Sequence, residues 1–116
     1  MAERMGNETA MTDETLLQEM VARLVAAGHP RRVVLFGSRA RGDEQADSDY
    51  DFLVVEPSDE PAHKRSVRYY DALRRYTQPL DVVVYTPDEV EDYAELPQSF
   101  VMTALREGRV LYEVTH

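Results

Sequence analysis

RVVLFGSRARGDEQADSDYDFLVV, residues 32–55, holds two short apolar runs on either side of a charged stretch. Arg32 to Phe36 is rich in β-branched residues and bounded by Pro30 and Gly37, so it reads as a buried strand; Asp49 to Val55 is strand-like again and is cut by Pro57. Gly37-Ser38 follows the first strand directly and precedes Arg39-Ala40-Arg41, which can form one helical turn. The glycine permits close backbone approach, and free N–H groups at a helix start, with the Ser38 hydroxyl, suit an anion such as phosphate. A plain turn would have the same composition. At the far end Asp49 and Asp51 lie two residues apart at a strand entry, so both carboxylates project from one face. Like charges held side by side repel unless a cation sits between them. Oxygen ligands of this kind suit Mg²⁺, which keeps waters and takes substrate phosphates as its other ligands. The competing reading is a turn at Asp47, Ser48 and Asp49, with Asp51 merely opening a strand.

Working outward, Pro79 precedes a third and most apolar strand, Leu80 to Tyr85. Alternation puts Asp81, Val83 and Tyr85 on one face, opposite Leu80, Val82 and Val84. A charged residue near the start of a buried strand is costly unless paired or metal-bound, which leaves Asp81 either salt-bridged to an arginine or, if its strand neighbours that of Asp51, converging with the other two aspartates.

Helices fill the gaps. Thr12 reads as an N-cap followed by Asp13 and Glu14, and Leu16, Leu17, Met20, Val21, Leu24 and Val25 share a helical stripe that Gly28 and Pro30 end. Pro61 can open a helix running to about Tyr76 with Val67, Tyr70 and Leu73 on one stripe. Thr86-Pro87-Asp88-Glu89 is a capping box with proline at the first helical position. A last helix from about Pro97 carries Phe100, Val101, Ala104 and Leu105 and closes at Gly108 before Val110-Leu111-Tyr112. The order of elements predicts an α/β (α+β) fold, a small mixed sheet flanked by helices. Residues 1–11 lack apolar periodicity and read as a flexible tail, which leaves 12–116 as a single domain.

At 116 residues the chain suffices for one core and, with 43% hydrophobic residues, resembles an ordinary globular protein. It has no cysteine, so any metal must be held by oxygen or imidazole. Neither a membrane span nor a secretory leader is visible, and the cytoplasm is the expected compartment. A formal net charge of −9 makes the average surface repel nucleic acid, so no direct nucleic-acid binding is expected. Basic residues do cluster at Arg31, Arg32, Arg39 and Arg41, and at Lys64, Arg65, Arg68, Arg74 and Arg75; the second group reads as a solvated helix face. His29, His63, His116 and the seven tyrosines read as surface and packing residues.

Taken together, Gly37-Ser38, the ten intervening residues Arg39 to Ser48, Asp49-Tyr50-Asp51 and the later strand bearing Asp81 resemble the nucleotidyltransferase superfamily that includes the catalytic core of DNA polymerase β. The resemblance is to its minimal nucleotidyltransferase branch, whose pattern is Gly-Ser, ten residues, Asp-x-Asp. It implies that Asp49 and Asp51 hold two divalent cations, normally Mg²⁺, while Asp81 completes the metal site and helps to deprotonate the attacking hydroxyl. Gly37 and Ser38 would hold the β- and γ-phosphates of ATP. Arg39 and Arg41 are candidates for further phosphate contacts, with ion pairs to Asp43, Glu44 or Asp47 as the alternative.

A nucleotide-binding core this small lacks the extra domain with which larger relatives grip their acceptor, so the acceptor is expected on another chain. The resemblance names one: small members of this branch act as antitoxins beside a HEPN-domain toxin, in a hetero-oligomer, and transfer AMP from ATP onto a tyrosine hydroxyl of that toxin. A non-catalytic antitoxin that covers the toxin, and a small-molecule nucleotidyltransferase, are the other readings.

Overall fold

Helix α1 (Asp13–Ala27) opens the part of the chain that the computed structural model describes, residues 13–44 and 48–114. The expected tail, the Thr12 cap, Asp47 and His116 lie outside these residues. Leu16, Leu17, Met20 and Leu24 of α1 are buried, as their spacing requires, and the helix stops before Gly28. Strands β1 (Arg32–Phe36), β2 (Tyr50–Val55) and β3 (Leu80–Tyr85) form as expected, β2 starting one residue after Asp49.

A fourth strand, β4 (Arg109–Glu113), follows Gly108, and the sheet runs β3-β2-β1-β4. β2 pairs antiparallel with β1 and parallel with β3, and β4 pairs antiparallel with β1, so the sheet is mixed. Parallel neighbours need a crossover. Residues 56–79 supply it with two short helices, α3 (Ala62–Arg65) and α4 (Val67–Ala72).

That crossover departs from the single helix expected between Pro61 and Tyr76. It breaks at Ser66, and the inward residues are Arg65, Tyr69 and Leu73, spaced by four, rather than Val67, Tyr70 and Leu73. Val67 and Tyr70 remain 61% and 39% exposed. Arg65 turns inward because its guanidinium finds acceptors there, the Glu60 carbonyl at 3.0 Å and Glu89 Oε1 at 2.8 Å. Tyr69 donates its hydroxyl to Glu56 Oε1, and the same buried carboxylate accepts from the His29 N–H at 3.0 Å and Arg68 at 3.3 Å. A carboxylate only 2% exposed is tolerable because it is supplied with donors in this way. The basic cluster from Lys64 to Arg75 is thus partly spent on internal ion pairs, with Arg74 also bonded to Asp71.

The capping box forms: Thr86 Oγ1 accepts from Glu89 N at 3.2 Å and Glu89 Oε1 from Thr86 N at 2.9 Å, opening α5 (Pro87–Tyr93). The last helix, α6 (Phe100–Glu107), begins three residues later than Pro97 suggests, because Ser99 is its cap and accepts from Met102 N at 3.3 Å. Strand alternation then divides the core. α1 and the α4 region pack with Val33, Leu35, Phe52, Val54, Val82 and Val84 on one face; α6 supplies Val101 and Ala104 to Val34, Leu53 and Val55 on the other. Fully burying a side chain such as Phe52 or Leu53 stabilises the fold by about 1.5–3 kcal/mol. Among the described residues no helix is long and apolar enough to cross a membrane.

Candidate active site

The second face of the sheet carries the acids. Asp51 shares its parity with Leu53 and Val55, and Asp81 with Val83 and Tyr85, so both project on the α6 side. They are direct partners across the parallel β2–β3 ladder, while Phe36 at the end of β1 is the partner of Asp51 on the other side. Asp49 precedes β2 by one residue and lies in the same alternation. The end of β1 and the starts of β2 and β3 therefore coincide, and Gly37 with all three aspartates falls at one end of the sheet.

Burial, then the charges of Asp49 and Asp81, push the pKa of the half-buried Asp51 up, and Arg41 partly opposes them. Asp81 differs from its sequence expectation. β3 is an edge strand, so Asp81 is exposed rather than buried, and burial is not what demands a partner for it. In place of an arginine it has the Tyr70 hydroxyl, which donates to Asp81 Oδ1 at 2.7 Å and accepts from Val82 N at 2.9 Å. Burial and the bond to Asp81 raise the Tyr70 pKa. Sequence reading puts Tyr70 on the packing stripe of its helix and so passes over its bond to the candidate site residue Asp81.

Gly37 has φ +78° and ψ −159°, a conformation essentially restricted to glycine, and starts the one-turn helix α2 (Ser38–Arg41). Ala40 N and Arg41 N donate back to its carbonyl. Gly42, also at positive φ, ends the turn, and Ser38 lies half-buried between the two glycines.

The two arginines of the turn part company. Arg39 stacks on the Tyr50 ring with 3.9 Å to the centroid, donates to the Ser48 carbonyl at 3.1 Å and pairs with Asp13 at 3.5 Å. Tyr50 belongs to the opposite face from Asp51, so Arg39 is directed away from the acids, into an ion pair with a residue other than the local acids expected. Among the described residues the Arg41 side chain has an exposed contact to Asp43 at 3.4 Å, worth little in water. It lines a cavity of about 200 Å³ with Phe36, Gly37, Phe100, Thr103 and Glu107. Phe36 and Phe100 meet edge to face at 5.2 Å and form its apolar wall, a feature no local motif announces.

Among the described residues no group of three or more His, Asp or Glu side chains is assembled to hold a metal ion. The aspartates form an open row instead. Mg²⁺ commonly uses one or two carboxylates, substrate phosphates and waters rather than an all-protein cage. A row of hard oxygen donors, close enough to raise the pKa of its central member, fits that demand.

A strand–Gly-Ser–helical-turn unit facing two cross-strand aspartates on a small mixed sheet is the candidate active site. The nucleotidyltransferase domain family matches residues 15–111, and the chain belongs to it; the protein is a nucleotidyltransferase. It is 32% identical over 106 residues to a Methanocaldococcus jannaschii protein named as a putative protein adenylyltransferase, a match covering 88% of this chain and all of that one. Two solved structures share the fold. One is a toxin–antitoxin with AMP-PNP, with TM-score 0.57 and 16% identity over 84% of this chain and 74% of that chain. The other is a mutant of the toxin–antitoxin MntA–HpeT, with TM-score 0.52 and 15% identity over 90% and 76%.

Proposed function

We propose that the protein is an antitoxin that transfers AMP from ATP to a hydroxyl, a tyrosine, of a partner HEPN-domain toxin. The observation that carries this reading is the cross-strand pair Asp51 and Asp81, joined by Asp49 at the sheet end where Gly37 turns. The relative named as a protein adenylyltransferase supports the reaction class, and the likeness to toxin–antitoxin structures supports the biological setting.

In this reading Asp49, Asp51 and Asp81 hold two Mg²⁺ ions, whose chemistry is to neutralise phosphate charge and make the acceptor hydroxyl more acidic. Gly37 brings backbone close to the β- and γ-phosphates, Ser38 offers its hydroxyl to them, and Arg41 adds positive charge from the cavity rim. The acceptor oxygen bonds to the α-phosphorus as the bond to the bridging oxygen of the β-phosphate breaks. Pyrophosphate leaves, and Asp81 helps to take the acceptor proton.

The test is the mass of the partner that co-purifies with the chain. Incubated with ATP and Mg²⁺, it gains one or more AMP units with wild type and none with the Asp49→Asn, Asp51→Asn double variant. An unchanged mass with wild type overturns the proposal.

A further inference from the structure

We infer that Tyr70 is a positioning residue for Asp81, holding one oxygen of that carboxylate so that the side chain is set for the metal ion before nucleotide arrives. The inference rests on the reading of Asp81 as a metal ligand.

Among the described residues β3 is a sheet edge, and its outward N–H groups face no neighbouring strand. The Val82 N–H takes the Tyr70 oxygen at 2.9 Å, and the hydroxyl passes its own proton to Asp81 Oδ1 at 2.7 Å. A hydroxyl that accepts from an amide is a stronger donor, so the chain N–H, O–H, carboxylate reinforces itself. Asp81 is exposed and would otherwise sample several rotamers, and fixing one oxygen removes that freedom while leaving the second unclaimed by Tyr70.

The tether is firm although Tyr70 itself is 39% exposed. Its helix is anchored through Tyr69, fully buried and bonded to Glu56, and the turn after it through buried Leu73. Packing does not account for an exposed ring whose hydroxyl is spent on a strand edge and a site carboxylate. Orientation of a ligand by a hydrogen bond from behind does.

Mn²⁺ affinity, read by electron paramagnetic resonance without nucleotide, tests this in five proteins: wild type, Tyr70→Phe, Asp81→Ala, the Tyr70→Phe, Asp81→Ala double variant, and Asp51→Ala as the control for metal binding. Tyr70→Phe should weaken Mn²⁺ binding by roughly tenfold or more, and the double variant should bind no more weakly than Asp81→Ala, because Tyr70 acts through Asp81. In transfer assays Tyr70→Phe should lower kcat and leave KM for ATP within about twofold. Faster exchange of the Val82 amide in Tyr70→Phe, with an unchanged circular dichroism spectrum, reports loss of the bond in a folded protein. Mn²⁺ binding by Tyr70→Phe equal to wild type, or the same fold loss in both backgrounds, overturns the inference alone, provided Asp51→Ala has lost the ion. Wild type and Asp51→Ala holding Mn²⁺ equally would bring down the metal reading and the inference with it.

Discussion

Gly37 and Asp51 approach so closely that no side chain fits between them: a Cβ on Gly37 would come within 2.4 Å of Asp51 Oδ2. The glycine also has φ +78°. Gly37→Ala therefore strains the backbone and displaces the carboxylate together. It should cost about 1–3 kcal/mol in urea unfolding and abolish transfer. Ser38→Ala, half-buried and under no such strain, should leave stability within about 0.5 kcal/mol while raising KM for ATP. Equal stability of Gly37→Ala and wild type would contradict the close approach.

The raised pKa of Asp51 gives a pH signature in metal-free protein. A carboxyl whose folded-state pKa exceeds its unfolded value holds its proton more tightly when folded, so ionisation counts against folding. Asp51→Asn should match wild type below about pH 4, the ordinary aspartate range. Its stability lead should grow as pH rises through that value and the higher native one, then stay level. Asp49→Asn, which removes one cause of the shift, should move in the same direction. Chemical unfolding at a series of pH values in chelator reads both; a lead that shrinks with rising pH would show Asp51 to be a structural ion-pair partner.

Arg39 and Arg41 should separate in kinetics and stability. Arg39→Ala loses the stack on Tyr50 and the ion pair to Asp13, and should lower stability by about 0.5–2 kcal/mol with KM for ATP nearly unchanged. Arg41→Ala should leave the melting temperature in place and raise KM for ATP by roughly tenfold, the loss of one charge-assisted phosphate contact. The reverse pattern would exchange the two roles.

Much of this was legible in residue order. Strands β1, β2 and β3 are short β-branched runs fenced by Pro and Gly, and period-2 alternation alone puts Asp81 on the Val83 and Tyr85 face. The capping box at Thr86 is a local motif and forms as local motifs do. What stayed hidden depends on tertiary placement. Nothing in Leu80 to Tyr85 tells that β3 is an edge strand, so Asp81 reads as buried and Tyr70 as mere packing. The helix breaks at Ser66 where Arg65 turns inward to acceptors that helical periodicity does not reveal, the Glu60 carbonyl in the preceding loop and Glu89 on α5. β4 shows little alternation and no fully buried residue, which leaves its pairing with β1 without a strong local signal. Arg39 could not be aimed from sequence, because its partners are set by tertiary placement: Asp13 on α1 and the ring of Tyr50, which sits between Asp49 and Asp51 and points to the opposite face.

If silencing is catalysis, it must show in the dose. A trace of the protein with ATP and Mg²⁺ should inactivate a molar excess of the co-purifying partner. The partner should stay inactive after separation, because the new phosphodiester bond is covalent. The Asp49→Asn, Asp51→Asn double variant should bind the partner and fail to silence it at that dose. Inhibition that instead tracks equal amounts, ignores ATP, disappears on dilution and survives in the double variant would contradict catalysis and leave a protein that acts by covering its partner.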